Sequence, residues 1–255
     1  MAGRAQSLVR RAARGTTWAQ FVDYMSPALY EVMPLRSIFA QGKEFIANSL
    51  DSARSAQARK QVEDWLSDQE GVIQLGAGSK GDGEQCLAEL EEDARRSVGQ
   101  RILELYFGQI FASNRAILDL RAESFAAAEG GVLWRPRSIY LEWQPEFLGG
   151  LRDLYAGFYL GDDPRFERGL AALSLEEAGD LLVSHLGDGD QRSVRFEMTV
   201  FQSSFHEMFL RCRDRGISLH RNFVALGTYL VCLYDVLETL DLELDVRDAF
   251  ERIHA

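Results

Sequence analysis

Apolar side chains recur at three- and four-residue intervals along most of this chain, a spacing that predicts α-helices nearly throughout. Pro27 and Pro34 interrupt residues 18–50, so two or three short helices are expected there and not one long one. Residues 52–69 combine strong helix formers with few apolar anchors, the pattern of an exposed helix. The periodicity breaks at 71–83 (GVIQLGAGSKGDG). Residues 84–112 then predict a single amphipathic helix with Leu87, Leu90, Val98, Ile102, Leu105 and Ile110 on its apolar side.

From Phe147 the helical signal is clearest, with Leu148, Leu151, Leu154, Tyr155 and Phe158 on one face and Gly161 as the stop. Asp163-Pro164 has the cap-then-proline form of a helix start. Ser174 and Glu177 have the spacing of a capping box for the next helix. GDGD at 187–190 predicts a loop, and a further helix carries Phe196, Val200, Phe201, Phe205, Met208 and Phe209. The segment from about 220 to 240 is apolar almost all round, so it is expected to be the most buried element. Strand character is confined to 125–142, around Val132-Leu133-Trp134 and Ile139-Tyr140-Leu141.

Composition narrows the classes. The chain has 255 residues, 46% hydrophobic and 26% charged, enough for one large domain or a domain with a helical extension. A net charge of −11 opposes nucleic-acid binding. Arg4, Arg10, Arg11, Arg14, Arg36 and Lys43 make the start basic, a composition suited to peripheral contact with an anionic membrane or an acidic partner. The alternative is an ordinary solvated helix. Cys86, Cys212 and Cys232 are odd in number and far apart, which fits a reducing cytoplasm and neither a zinc site nor a disulfide framework. Neither a secretory signal nor an uninterrupted apolar run of transmembrane length is expected.

Few motifs carry chemistry. Gly76, Gly78 and Gly81 have the G-x-G-x-x-G spacing of a phosphate-binding turn, but no βαβ pattern surrounds them. The helix after them is also strongly acidic, so 71–83 is expected to be a flexible linker. His185, His206, His220 and His254 form no H-x-x-x-H pair, and no metal site is expected.

The stretch 107–138 (FGQIFASNRAILDLRAESFAAAEGGVLWRPRS) has a different character. Gln109-Ile110-Phe111 closes a helix, residues 117–124 (ILDLRAES) make a loop, Glu129-Gly130 makes a turn, WRPRS at 134–138 follows, and then comes FLGGLRDLYAGFYLGD at 147–162. In this order the chain resembles the ABC1/AarF/UbiB family of atypical kinase-like proteins over roughly residues 98–250. The resemblance places Asp119 at the catalytic aspartate, Ser124 at the metal-binding asparagine, and Arg135 and Arg137 in the metal-binding turn. That turn has lost its carboxylate, both loop histidines are replaced (by Ile117 and Arg121), and none of Lys43, Lys60 and Lys80 lies in a nucleotide-binding strand.

The resemblance implies a mainly α fold like the C-terminal lobe of an atypical kinase, with one small β-hairpin. Together with the basic start and the break at 71–83, it divides the chain into a basic helical extension (1–70), a Gly-rich linker (71–83) and the kinase-like helical domain (84–255). It also implies a catalytically inactive scaffold that binds a partner protein or a hydrophobic ligand, without a cofactor, in an isoprenoid-lipid setting. Two alternatives remain open at this stage. One is residual phosphoryl transfer from Mg-ATP with Asp119 as base, Ser124, Arg135 and Arg137 being weak candidates for contacts to the cofactor. The other is a structural subunit of a larger assembly.

Overall fold

The computed structural model describes residues 26–67, 73–76, 84–128, 131–137, 139–186 and 193–254. The protein is mainly helical, with small sheets of two or three strands. Among the described residues the helices are α1 (Leu29–Val32), α2 (Leu35–Leu50), α3 (Ser52–Ser67), α4 (Glu92–Phe111), α5 (Pro145–Leu160), α6 (Asp163–Leu173), α7 (Gly179–Leu186), α8 (Met198–Asp214), α9 (Asn222–Leu240) and α10 (Val246–His254). The strands are β1 (Ile73–Leu75), β2 (Arg115–Ile117), β3 (Phe125–Ala128), β4 (Gly131–Trp134), β5 (Tyr140–Glu142), β6 (Ser193–Arg195) and β7 (Glu243–Asp245).

Helix breaks fall where backbone chemistry requires them. Pro34 caps α2, and Gly161 ends α5 in the left-handed region at φ 69°. The α6 cap is Asp162 and not Asp163: its carboxylate accepts from the Arg165 backbone N–H. The Ser174–Glu177 capping box does not form. Ser174 closes α6 in the left-handed region, at φ 58°, whereas an N-cap needs extended backbone. The single helix expected over 84–112 is also two pieces. Gln85 bridges Ala127 of β3, a short 3-10 turn spans Leu87–Glu89, and the extended Leu90 and Glu91 separate it from α4.

The core gathers around α4 and α9. Every residue of α4 from Ile102 to Ile110 is buried, including Glu104 and Gln109. Asn222–Leu240 is long and apolar enough to cross a membrane, with a mean hydropathy of 1.5, and 72% of its apolar stretch is buried inside the protein. α5 and α6 pack with backbones almost touching. A Cβ on Gly157 would lie 2.2 Å from the Phe166 nitrogen, and one on Gly169 would lie 2.4 Å from the Leu154 nitrogen.

Strands extend beyond the single hairpin expected. β3 and β4 form it, with Phe125 opposite Trp134, and the Glu129-Gly130 turn itself lies outside the described residues. β1 adds a parallel strand to β4, so Ile73–Leu75 of the Gly-rich stretch is sheet and not free linker. β2 pairs with β5, and β6 with β7, both antiparallel. The described part of the N-terminal extension is fastened to the remainder: Asn222 donates to Gln41 of α2 at 3.0 Å, and Asn48 donates to the Tyr140 carbonyl at 3.3 Å. Arg4, Arg10, Arg11 and Arg14 lie outside the described residues.

Candidate functional site

Gln109, near the end of α4, sets the loop of interest. Its side-chain oxygen accepts from the Ile117 N–H at 2.7 Å, and its nitrogen donates to the Ile117 carbonyl at 3.2 Å and to the Tyr229 hydroxyl at 2.7 Å. A buried amide thus fixes the last residue of β2 as a neighbouring strand would. The β2–β5 pairing and the Leu118 N–H bond to the Ile139 carbonyl hold the two sides of the site together.

Asp119 follows, with no exposure at all. Its carboxylate is engaged by three donors: Arg121 Nε at 2.6 Å, Arg121 Nη2 at 2.9 Å and the Arg137 backbone N–H at 2.8 Å. Its carbonyl accepts from the Trp134 indole at 2.9 Å. Arg121 continues outward to Glu123 at 2.6 Å, and the Arg137 guanidinium meets the same Glu123 oxygen at 3.0 Å. Burial pulls the Arg121 pKa down, and the hydrogen bonds and charge of Asp119 together with the charge of Glu123 raise it, so its net direction is upward. The arrangement is a closed chain of opposite charges running from the interior to the surface.

Arg135 turns the other way. Its guanidinium grips Glu84 at 2.5 and 2.7 Å in a two-pronged pair, which raises its pKa against a smaller opposing effect of burial. Its backbone N–H donates to the Ser124 carbonyl at 2.7 Å. Ser124 is buried in the 3-10 turn Ala122–Ser124. A Cβ on Gly76 would lie 2.9 Å from Arg135 Cγ, so this glycine makes room for an arginine side chain. Gly78 and Gly81 lie outside the described residues. Both arginines therefore pair with acids, Arg135 with Glu84 and Arg137 with Glu123.

The rear wall comes from α9. Asp235 accepts the Ala122 N–H at 2.9 Å, and burial raises its pKa against the pull of that bond and of Arg121. Burial pushes the Cys232 thiol up, and the Asp119 charge adds to the shift, so this cysteine is an unreactive packing residue. The histidines are dispersed. His206 bonds the Ser26 hydroxyl, His220 bonds Gln144, and His254 stacks on Phe250. The side chain of His185 lies outside the described residues.

The structure thus brings Asp119, Ser124, Arg135 and Arg137 into one region, but not as a set converging on a free space. Arg121, Glu123, Glu84 and Asp235 complete the network. Sequence pattern singled out none of them as a partner, because Glu84 and Asp235 lie on separate segments, and Arg121 and Glu123 each stand only two residues from the charge they neutralise. No known protein-family model matches the chain, and no curated protein shows significant similarity to it.

Proposed function

We propose that this protein is a catalytically inactive relative of the ABC1/AarF/UbiB kinase-like proteins, acting by binding a partner protein or a hydrophobic ligand and not by phosphoryl transfer. The observation that carries the reading is Asp119, fully buried and held by Arg121 and the Arg137 N–H. A general base must reach a substrate hydroxyl, and phosphoryl transfer further needs metal-holding carboxylates near the phosphates. Here the base position is filled by its own neighbours, and the turn where a metal would be held offers Arg135 and Arg137. The order of elements supports the relationship: helix α4, the 117–124 loop, hairpin β3–β4, the turn after it and helix α5 follow the sequence of parts the resemblance implies, to which β2 and β5 are additions.

A second reading, a subunit of a larger assembly, is favoured by the exposed Leu50 and Ile46 at the end of α2, 81% and 38% accessible. Both readings are non-catalytic.

The test is thermal denaturation with ATP and with ADP, each with and without magnesium, on the wild type and on Asp119→Asn. The expected outcome is no magnesium-dependent rise in melting temperature at millimolar nucleotide. A rise of several degrees that Asp119→Asn abolishes would restore the catalytic alternative.

A further inference from the structure

A cavity of about 50 Å³ lies among the helices α4, α5, α8 and α9. Its walls are almost wholly apolar, with Leu103, Phe107, Leu154, Phe205, Met208 and Leu226 among them. Two of the tyrosines that line it, Tyr106 and Tyr155, bond each other through their hydroxyls at 2.5 Å. A water held there would need two to four polar partners, which this lining does not provide, so the space is suited to a hydrocarbon.

The cavity is partly open. Leu182 of α7 and Leu230 of α9 also line it, and both are half-exposed. The apolar run Leu181-Leu182-Val183 on α7 is half-buried at all three positions, so this helix does not finish burying its apolar side. A void behind a mouth of incompletely covered leucines differs from a sealed packing defect, because an elongated molecule can occupy both at once.

Size selects the class of occupant. A cavity that holds a benzene ring has about 150 Å³, and one water takes about 30 Å³ of liquid volume. About 50 Å³ admits the slim end of an unbranched alkyl chain and excludes a ring. The net charge of −11 further disfavours an anionic ligand. We infer that this cavity and its leucine mouth bind the alkyl chain of an uncharged lipid-like molecule, the chain end inside and the polar head at the surface beside α7. This names a ligand class for the binding role proposed above and rests on that reading, but it uses none of the residues of the Asp119 network.

The probe is decanol, an uncharged linear alcohol, with the ring-bearing cyclohexylbutanol as comparator, titrated below their solubility limits into the full chain. Decanol is expected to raise the melting temperature by about 5 °C near saturation, and cyclohexylbutanol by much less. Leu226→Phe fills the void and Leu182→Lys charges the half-exposed mouth. Each is expected to abolish the decanol shift, and the second leaves the interior intact should the first perturb folding. No shift with decanol, equal shifts with both alcohols, or a full shift in Leu182→Lys would overturn the inference. Flotation with phosphatidylcholine vesicles separates the two sources of such a chain. Flotation together with a decanol shift indicates a membrane lipid, a decanol shift without flotation indicates a free molecule, and flotation without a decanol shift overturns the cavity as the site. The nucleotide experiment is independent, so its failure and the failure of this one are distinguishable.

Discussion

Asp119 and Arg121 neutralise each other in the interior, and a buried pair of this kind is far costlier to halve than to replace whole. Asp119→Ala leaves a guanidinium that is 9% exposed beside a void, and is expected to lower stability by about 3–5 kcal/mol in urea denaturation. Replacing both residues by apolar ones of similar size is expected to recover much of that loss. Asp235 behaves oppositely. Burial raises its folded-state pKa, so its contribution is fully present below the unfolded value of about 3.9 and is lost as pH rises through the folded value. Asp235→Asn keeps an oxygen for the Ala122 N–H and removes the charge. Its urea midpoint is therefore expected to match the wild type near pH 4 and to exceed it near pH 7. Only part of this was legible beforehand. The position of Asp119 and the arginines of WRPRS could be read from the chain, but Glu84, which pairs with Arg135, and Asp235, which accepts the Ala122 N–H, come from segments that only the folded arrangement brings close.

Among the elements, the α5–α6 pair has the narrowest tolerance. Gly157 and Gly169 each face opposing backbone, so neither neighbour can rotate away as a side chain could. Gly157→Ala or Gly169→Ala is expected to cost at least about 1–3 kcal/mol in denaturant unfolding. The double variant should cost less than the two together, because the first substitution already forces the helices apart. Gly108 differs in kind: an added Cβ would meet the Trp65 ring 2.1 Å away, and that ring lies between α3 and α4. Helices and several of their ends were readable from apolar spacing, Pro27, Pro34 and Gly161. The three-residue strands β1, β2, β6 and β7 were not, since so short a run shows no period and its pairing depends on distant segments. The Ser174–Glu177 pair failed for a related reason. Spacing alone does not report that Ser174 has already turned left-handed to close α6.

At the scale of the whole molecule, the mainly helical class followed from periodicity, while the way the N-terminal helices are tied in did not. Asn222 sits at the start of α9 with no exposure, donating to Gln41 and accepting from the Gln144 N–H. The Leu219 N–H likewise donates to the Val32 carbonyl at 3.1 Å. The bonds of Asn222 to Gln41 and of Leu219 to Val32 join positions separated by most of the chain, and β1 reaches β4 across a further long interval. Such closures cost more loop entropy than neighbouring helix pairs and reward it later. During synthesis at ~5–20 residues per second, Gln41 therefore waits on the order of ten to forty seconds before Asn222 has been made. The apolar faces of α1 and α2 are without their final cover throughout that interval, so the newborn chain depends on whatever shields those faces while it is still attached to the ribosome.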